Sequence, residues 1–552
     1  MLMNQKIKLY RLLFLFTLNV IVFPLLGLAQ GLNVKPVQLP LLLDRPANPV
    51  ARLAVSLPAK AGLSDLEIEV SGGAEKYLKG FSLLLAEGDS AVVSEAKMKK
   101  YAVLGRTGAT GKQRKLSFKS ELPAGTSYLW LTAELDPSTP LSAKIGFRIK
   151  SLKIGGRSVR PASPASAFVY RPAVAVRRHQ QENVHTHRIP GLATATDGTL
   201  LSIYDARYTK AGDLQGHIDI GVSRSFDKGR TWQPMQVALD MGTWGGLPEK
   251  FNGVSDACIL VDKTTGTIFI AGLWMHGVIN SDGKWLDGLN ENSTDWNHQW
   301  RDKGSQPGFG VRQTSQFLIT KSTDHGKTWS KPVNLTQMCK KEAWWLWAPA
   351  PGQGITLKDG TLVFPTQGRD HTGKAFSNIT YSKDGGKTWE TSEPAVREST
   401  TENMAVELSD GSIMLNMRSN ANRGDTSANN GRAVAVTRDL GTTWTEHESS
   451  HRALIEPTCM ASIIRHDYVD KGIKKSILVF CNPDSKTARN NISIKVSYDD
   501  GKTWPRKILL DQEKSRGYSC LTSVSPGVVG VLYESSQADL AYQQLELKEL
   551  LK

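Results

Sequence analysis

Short apolar runs separated by turn residues are the dominant pattern along this chain. Each run is five to seven residues long and is bounded by Gly, Pro, Ser, Asn or Asp, with almost no helical periodicity. Examples are Ala51 to Leu57, Leu66 to Val70, Phe81 to Leu85, Leu192 to Thr196, Leu200 to Tyr204 and Ile218 to Ser223. Runs of this length and spacing are typical of β-strands. The pattern therefore predicts an all-β protein.

An eight-residue phrase, Ser/Thr-x-Asp-x-Gly-x-Thr-Trp, occurs five times in the second part of the chain. The copies span residues 225–232, 322–329, 382–389, 437–444 and 497–504. An Asp followed two positions later by Gly is typical of a tight hairpin, because the carboxylate accepts backbone N–H bonds and the Gly adopts a positive φ. The Asp-to-Asp spacings of 97, 60, 55 and 60 residues somewhat exceed the period of about 40 to 50 residues in propeller repeats. We expect one such turn in each propeller blade.

The repeated phrase divides the chain into two predicted domains. Residues 30–170 lack it and are predicted to form a β-sandwich, whereas residues 171–552 are predicted to form a propeller. Tyr101, Tyr128 and Trp130 of the sandwich are candidates for stacking on a carbohydrate, although aromatic residues on strands more often belong to the core. The segment from Trp285 to Arg312 interrupts the strand pattern and is predicted to be an extended loop.

The first 29 residues have the pattern of a signal peptide. Three basic residues within the first eleven precede a mostly apolar run from 12 to 26, and Gly27 and Ala29 follow at the spacing that a signal peptidase reads. We therefore expect export to the periplasm, the cell surface or the medium. A retained membrane anchor is the alternative, because the apolar run is near the lower limit for spanning a bilayer. We expect no membrane span after cleavage.

Net charge and cysteine content exclude only a few classes of binding partner. The formal net charge of +15 favours an anionic substrate or surface, although a basic protein without such a ligand would have the same balance. The basic residues are scattered and form no nucleic-acid-binding motif, so no nucleic acid partner is predicted. Five widely spaced cysteines are predicted to be buried thiols, not a disulfide framework or a metal site; they are Cys258, Cys339, Cys459, Cys481 and Cys520.

Several phrases outside the repeats concentrate Arg, Asp, Glu and Tyr. In chain order they are Arg188-Ile-Pro, Asp205-Ala-Arg207, Thr401-Glu-Asn, the phrase from Glu407 to Arg418, the phrase from Asn482 to Arg489, Arg516-Gly-Tyr518 and Val531-Leu-Tyr-Glu534. With these phrases and the five repeats in order, residues 175 to 545 resemble the bacterial exo-sialidases (neuraminidases). The resemblance implies a six-bladed β-propeller, here preceded by a β-sandwich. It also implies a substrate with a terminal sialic acid, on a glycoprotein, glycolipid or oligosaccharide, and no metal or cofactor.

The resemblance further implies the roles of ten residues. Three arginines correspond to those that bind the substrate carboxylate: Arg188, Arg418 and Arg489. Three residues correspond to the catalytic groups: Tyr518 as nucleophile, Glu402 as its partner and Asp213 as acid/base. Three more correspond to other substrate-binding positions, Arg207, Asp256 and Gln367, and Glu534 corresponds to a carboxylate that supports Arg188.

Some of these assignments have neighbours that compete with them. Asp219 lies near Asp213, and Glu407 lies near Glu402. Arg516, two residues before Tyr518, is expected at the surface, with Arg489 as the third arginine of the triad. His185 and His187 have a spacing that a metal site could use, but no third ligand accompanies them, so a structural role is expected.

Elementary chemistry supports a Tyr nucleophile for such a substrate. Sialic acid carries a carboxylate on the carbon that is attacked, so an anionic nucleophile would approach a like charge, which a neutral phenol avoids. Sialidases with a Tyr nucleophile are an established exception among glycosidases. A free phenol has a pKa near ~10, so a neighbouring Glu must accept its proton. Arg suits carboxylate binding because its donors form bidentate contacts.

The predicted function is a retaining exo-α-sialidase that forms a tyrosyl intermediate. A trans-sialidase or an intramolecular trans-sialidase remains open, because these differ only in what displaces the intermediate. A non-catalytic propeller that binds a glycan or a protein also remains open.

Overall fold

A computed structural model describes residues 31–71, 73–88, 95–108, 111–162, 168–214, 216–245, 249–276, 305–311 and 313–552. The predicted signal peptide and most of the predicted loop from Trp285 to Arg312 lie outside the described residues. The α-helices in the described ranges have a single turn each: α1 (Glu95–Met98), α2 (Thr336–Cys339) and α3 (Leu547–Leu550). The 3₁₀ turns are Ala74–Tyr77, Gln181–Asn183, Glu249–Phe251 and Asn420–Asn422. Within the described part of the chain, no helix is both long and apolar enough to cross a membrane.

The strands between residues 31 and 170 form a sandwich of two sheets. They are β1 (Gly31–Pro36), β3 (Asn48–Leu57), β4 (Ala61–Ser71), β5 (Leu78–Leu85), β6 (Ala102–Thr107), β7 (Gln113–Leu116), β8 (Ser120–Leu122), β9 (Gly125–Leu135), β10 (Ile145–Ile154), β11 (Arg157–Val159) and β12 (Phe168–Tyr170). The short strand β2 (Leu41–Leu42) lies between β1 and β3 in the sequence but belongs to neither sheet. One sheet has the order β1-β3-β9-β5-β6 and the other β11-β10-β4-β7, with β8 and β12 paired at its sides. Alternate apolar residues such as Leu53, Val55 and Leu57 fill the space between the sheets.

The three aromatic candidates for carbohydrate stacking pack into a second apolar cluster, on the face of the sheet that points away from the layer between the two sheets. Trp130 is 1 % exposed and Tyr101 8 % exposed, and both belong to one apolar cluster, against which Tyr128 packs. The burial of Trp130 and Tyr101 favours the core role, which is the commoner one for aromatic residues on strands. Carbohydrate binding by this domain stays a prediction.

The remaining strands form a propeller. They are β13 (Pro172–Arg177), β14 (Thr186–Thr194), β15 (Leu200–Arg207), β16 (Ile218–Ser225), β17 (Gln236–Leu239), β18 (Asn252–Val261), β19 (Ile268–His276), β20 (Gln316–Ser322), β21 (Val333–Asn334), β22 (Leu346–Pro349), β23 (Gly352–Gln353), β24 (Ile355–Thr356), β25 (Leu362–Arg369), β26 (Ala375–Ser382), β27 (Glu390–Thr391), β28 (Thr400–Glu407), β29 (Ile413–Ser419), β30 (Ala433–Thr437), β31 (Thr445–Glu446), β32 (Ser462–Asp470), β33 (Ile473–Pro483), β34 (Ile492–Ser497), β35 (Arg506–Asp511), β36 (Ser519–Ser525), β37 (Val528–Tyr533) and β38 (Leu540–Glu546).

Among the described residues these strands build six antiparallel blades. Their orders are β14-β15-β16-β17, β18-β19-β20-β21, β22-β25-β26-β27, β28-β29-β30-β31, β32-β33-β34-β35 and β36-β37-β38-β13. The first strand of the first blade contacts the first strand of the last. The fold is therefore an all-β protein with a β-sandwich and a six-bladed propeller, as predicted.

The last blade differs from the others because its outer strand comes from the start of the propeller. Strand β13 pairs antiparallel with β38, and β2, from the N-terminal part of the chain, pairs parallel with the other side of β13. In the other five blades the repeated phrase joins the third strand to the fourth, as at residues 225–232 between β16 and β17. The sixth blade has no such connection, which explains why six blades carry five repeats.

Each repeat is a hydrogen-bonded hairpin. In the fifth copy, the Asp499 carboxylate accepts bonds from Ser497 Oγ at 2.7 Å, Thr503 N at 3.0 Å and Thr503 Oγ1 at 2.6 Å. Asp500 and Gly501 both have a positive φ, of 55° and 86°, which is the backbone of a type I′ turn. Trp504 Nε1 donates to the Gly501 carbonyl at 3.1 Å and closes the motif.

The strand register places these hairpins at one end of the blades. In the first blade Leu200 is opposite Ser225, where the hairpin begins, whereas Arg207 is opposite Ile218 at the other end. In the fourth blade Ile413 is opposite Thr437 in the same way, and Arg418 lies beyond the far end of that pairing. The hairpins thus lie at the end of the blades opposite the predicted site residues.

All five cysteines are buried and free, as expected.

Candidate active site

Bulges in three strands set the direction of the site residues. The register shifts between Arg188 and Gly191 in β14, between Ser255 and Cys258 in β18 and between Thr400 and Asn403 in β28. Inside the first two bulges, Ile189 and Asp256 adopt φ values of 59° and 54°. Such a backbone is costly for a β-branched residue like Ile189, and strain of this kind concentrates at functional sites.

The three predicted triad arginines surround the Tyr518 ring. The guanidinium carbons of Arg188 and Arg489 lie 5.4 and 5.5 Å from the ring centroid. Arg418 Nη1 lies 3.4 Å from the Tyr518 hydroxyl oxygen. The structure therefore brings together four residues that span more than three hundred positions of the sequence.

Tyr518 donates its hydroxyl proton to a short hydrogen bond with Glu402 Oε1. The other oxygen of Glu402 accepts a bond from Arg418 Nη1 at 2.5 Å. Burial and the neighbouring Glu402 raise the pKa of Tyr518 well above its ordinary value, against the lowering effect of Arg418 and Arg489. The phenol is thus neutral at physiological pH, with a carboxylate in place to take its proton.

Glu534 holds Arg188 from the side opposite the cleft. The carboxylate is 1 % exposed and accepts bonds from Arg188 Nε at 2.8 Å and Nη2 at 3.3 Å. It also accepts the backbone N–H groups of Ile189 at 3.1 Å and Tyr518 at 3.0 Å. Burial alone would raise the pKa of Glu534, but Arg188 and these donors lower it below the usual range. One carboxylate therefore fixes parts of the first and last blades.

Asp213 lies on the connection between β15 and β16 and faces two arginines. Its Oδ1 accepts from Arg188 Nη1 at 3.1 Å and from Arg207 Nη1 at 2.5 Å. The Asp213 side chain is exposed at its tip, and the partial desolvation of its carboxylate opposes ionisation, but Arg207 and Arg188 outweigh this and lower its pKa. The buried Asp205 Oδ2 in turn accepts hydrogen bonds from Arg207 Nη2 at 2.8 Å and Nε at 3.1 Å.

Asp256 and Gln367 contribute to the site in different ways. The Asp256 backbone N–H donates to Asp205 at 3.1 Å. Burial and the nearby carboxylates of Asp205, Glu402 and Asp213 raise the Asp256 pKa well above its ordinary value. Gln367 is buried on β25 and donates to the Pro349 carbonyl at 3.3 Å.

The geometry separates the competing carboxylates. Asp219 is buried and bonded to Tyr208 and His217, with no hydrogen bond or ion pair to a site arginine among the described contacts. Glu407 accepts a backbone bond from Lys358 and lies at the hairpin end of β28, opposite Ile413. Asp213 and Glu402 therefore face the site arginines.

Two further expectations concern Arg516 and the histidines. Arg516 is partly buried, not a surface residue, and burial together with Arg188 lowers its pKa. Its carbonyl accepts a bond from Arg489 Nη1 at 3.0 Å, so the chain before Tyr518 positions the third arginine. His187 packs edge-on against Tyr204 inside the first blade, which fits the structural role expected for it.

Sequence reasoning missed the part played by Asp205. This side chain is fully buried and accepts bonds from Ser255 Oγ at 2.5 Å, from the Asp256 backbone and from Arg207. Its place two residues before Arg207 on the same strand was the available signal, because residues i and i+2 share a face.

Comparison with known proteins identifies the family of this chain. A family model described as a BNR repeat-like domain matches residues 189–522. A sialidase of Bacteroides fragilis is 36 % identical over 96 % of this chain and 97 % of its own length. A sialidase of Micromonospora viridifaciens is 33 % identical over 69 % of this chain and 56 % of its own length.

A solved structure, described as Hadza microbial sialidase Hz136, superposes with a TM-score of 0.83 at 34 % identity and covers 94 % of this chain and 99 % of its own. The Bacteroides fragilis sialidase and this solved structure match along both the sandwich and the propeller. This chain belongs to the bacterial sialidase family, and it is a glycoside hydrolase of the exo-α-sialidase type that acts on sialylated glycans.

Proposed function

We propose that this sialidase works with net retention through a covalent intermediate on Tyr518. The observation that carries the proposal is the Tyr518 hydroxyl, which is bonded to Glu402 and lies among three arginines. A phenol held neutral by burial needs a base at the moment of attack, and Glu402 is within hydrogen-bond distance of its proton.

The substrate carboxylate would bind to Arg188, Arg418 and Arg489. Arg418 Nε is buried and has no hydrogen-bond partner among the described residues, and Arg188 offers Nη1 on the side away from Glu534. The bound carboxylate would then lie close to the phenol oxygen, which places the adjacent anomeric carbon in reach of Tyr518.

Asp213 would protonate the leaving oxygen and later activate water. In the present arrangement its carboxylate occupies Arg188 Nη1, the same donor that the substrate carboxylate needs. Substrate binding would therefore displace Asp213 from Arg188 and neutralise one of the three arginines, Arg207, Arg188 and Arg489, that lower its pKa. The same event that fills the site would raise the proton affinity of the acid that the first step requires.

The test is the stereochemistry of the first product. The purified protein is mixed with a 4-nitrophenyl sialoside and followed by proton NMR. Initial release of the α-anomer is expected, whereas the β-anomer as first product would overturn the tyrosyl mechanism. An acceptor sugar in a parallel reaction tests transfer, and an anhydro sugar as the main product would indicate an intramolecular trans-sialidase.

We also propose that the protein is exported, on the basis of the basic and apolar pattern of residues 1–29. Mass spectrometry of protein released by osmotic shock, or recovered from the medium, is expected to give a chain that begins at Gln30. An uncleaved chain confined to the membrane fraction would indicate the anchor instead.

A further inference from the structure

The connection that carries Asp213 is held at its base by a pair of stacked rings. Tyr208 follows the last residue of β15, and His217 precedes the first residue of β16. Their ring centroids are 4.2 Å apart with an interplanar angle of 18°. The backbone N–H of Tyr208 also donates to the His217 carbonyl at 3.3 Å. The two ends of the connection are therefore joined through both backbone and side chains.

A group of carboxylates fastens this ring pair to the blade. Tyr208 Oη donates to Asp219 Oδ2 at 2.9 Å, and Asp219 is 4 % exposed on β16. His217 Nε2 lies 3.3 Å from Asp219 Oδ2 and 3.3 Å from Glu249 Oε1. The close contact with Asp219 raises the pKa of His217, although burial opposes this.

Glycine allows the connection to return close to its own start. Gly216 has a φ of 88°, and a Cβ there would lie 3.3 Å from Thr209 Oγ1 and 3.4 Å from the Lys250 carbonyl. A side chain at this position would push the two ends of the connection apart.

Asp213 itself has few contacts that could hold it during the reaction. Its side chain is 64 % exposed, and its ion pairs are with Arg188 and Arg207. Once the substrate carboxylate has taken Arg188, the position of Asp213 depends on Arg207 and on the chain that carries it. Arg207 Nη1 also bonds the Ala211 carbonyl at 2.9 Å, which fixes the connection near its middle.

We propose that Tyr208, His217 and Asp219 are positioning residues for proton donation by Asp213. The inference rests on the proposed role of Asp213 as the acid/base group. By closing the base of the connection, the ring pair reduces the number of backbone conformations open to Asp213 once substrate binding has broken its ion pair with Arg188. Loss of the ring pair would then impair the step that needs a proton and leave the others largely unchanged.

Leaving groups of different basicity separate this role from a general structural one. Nitrophenolate departs with little protonation, whereas the sugar oxygen of sialyllactose needs a general acid. kcat/KM is measured on both substrates for wild type, Asp213→Asn, Tyr208→Phe, Tyr208→Leu and His217→Leu. Tyr381→Phe is the matched control, because Tyr381 Oη also donates to a carboxylate, Glu390, at 2.9 Å on an outer strand.

Asp213→Asn is expected to lose on the order of 10² more activity on sialyllactose than on the nitrophenyl sialoside. Tyr208→Leu and His217→Leu should shift the same ratio about tenfold and Tyr208→Phe about threefold, each a fraction of the full general-acid effect. In the Asp213→Asn background, His217→Leu should change the ratio no further. Tyr381→Phe should leave the ratio at the wild-type value.

Three results would overturn the inference. Equal losses of kcat/KM on both substrates in the Tyr208 and His217 variants would reduce the ring pair to a structural role. If Asp213→Asn still lost more activity on sialyllactose than on the nitrophenyl sialoside, the acid role of Asp213 would stand. Equal losses on the two substrates in Asp213→Asn would instead remove the acid role itself. Inactivation of wild type by EDTA with recovery on adding a divalent cation would assign His217 and Asp219 to a metal, because with Asp240 they are close enough to share one. Tyr208→Phe removes a single oxygen and keeps the test usable if the leucine variants do not fold.

Discussion

The exposed aspartates of the hairpins and the buried aspartates Asp205 and Asp256 at the site end of the blades have pKa shifts of opposite sign. At the hairpin end, the carboxylate of Asp439 is exposed, and hydrogen bonds from Thr443 and Thr437 lower its pKa to about 2. At the site end, burial raises the pKa of Asp205, and burial with neighbouring carboxylates raises that of Asp256. The residue type is the same, and the balance between donors and desolvation decides the sign.

The difference separates a region selected for regular folding from one selected for chemistry. Each hairpin satisfies its own polar groups within eight residues, so it can form locally and repeat. The site end collects charges from five blades, and its bulges and positive-φ residues are stable only because the whole ring supports them. Substitutions at the two ends should therefore change different quantities.

The largest effect is expected from Tyr518→Phe. Removal of the phenol oxygen removes the proposed nucleophile, and turnover should fall by on the order of 10³-fold. The melting temperature should change little, because the ring and its contacts with the arginines remain. Steady-state kinetics with thermal melting measures both quantities. Turnover near the wild-type rate would remove Tyr518 from its role and weaken the contrast between the two ends.

Glu534→Gln tests the buried charges of the site end. The amide keeps the shape of the side chain but leaves the Arg188 charge without its buried partner, which should cost about 3 kcal/mol or more of unfolding free energy. KM should rise as well, because Arg188 loses its orientation. Urea denaturation and kinetics on the same preparation measure both. Unchanged stability would show that solvent, not Glu534, compensates Arg188.

Asp499→Asn is the matched carboxylate-to-amide change at the hairpin end. The amide nitrogen cannot accept the bonds that Thr503 donates, so a loss of about 1 kcal/mol is expected. Both kcat and KM should keep their wild-type values, because the hairpin lies at the opposite end of its blade. A change in KM of more than about threefold, which corresponds to roughly 0.6 kcal/mol of binding, would couple the two ends.

The smallest effect, with the clearest sign, concerns pH. Because the folded-state pKa of Asp499 is lowered, the stability it contributes is present above its unfolded pKa and is lost as the pH falls. Because the pKa of Asp256 is raised, wild type should lose stability relative to Asp256→Asn as the pH rises above about 4. Denaturation at about pH 2.5 and pH 4 measures the loss from Asp499, and denaturation at about pH 4 and pH 8 measures the loss from Asp256. The same sign for both variants would contradict the comparison.

The sequence predicted those features that are local or that belong to a family phrase. The repeated hairpins follow from Asp, Gly and Thr at fixed offsets, and the ten site residues follow from ordered motifs. The Tyr208–His217 pair could not be read in this way, because ring stacking depends on how the connection folds back through Gly216. The pairing of β2 with β13 depends on contacts between distant segments, which periodicity does not contain.

The partial burial of Arg516 and the core positions of Trp130 and Tyr101 illustrate a second limit. Apolar and polar positions on a strand alternate, but which face is covered depends on the second sheet or the next blade. An Arg beside a catalytic residue and a Trp on a strand are therefore ambiguous until the packing partner is known.

The outer strand of the sixth blade also affects the order in which parts of the protein can fold during synthesis. Strand β13 leaves the ribosome early, but its partner β38 is made nearly 370 residues later, and Glu534 reaches Arg188 only then. The sandwich and the early blades can fold during synthesis, whereas the ring cannot close before the end of the chain emerges. A nascent chain that stops before Tyr518 lacks every strand of the last blade except β13, and it also lacks Glu534, the buried partner of Arg188. Ring closure and the anchoring of Arg188 therefore depend on the same C-terminal stretch of the chain.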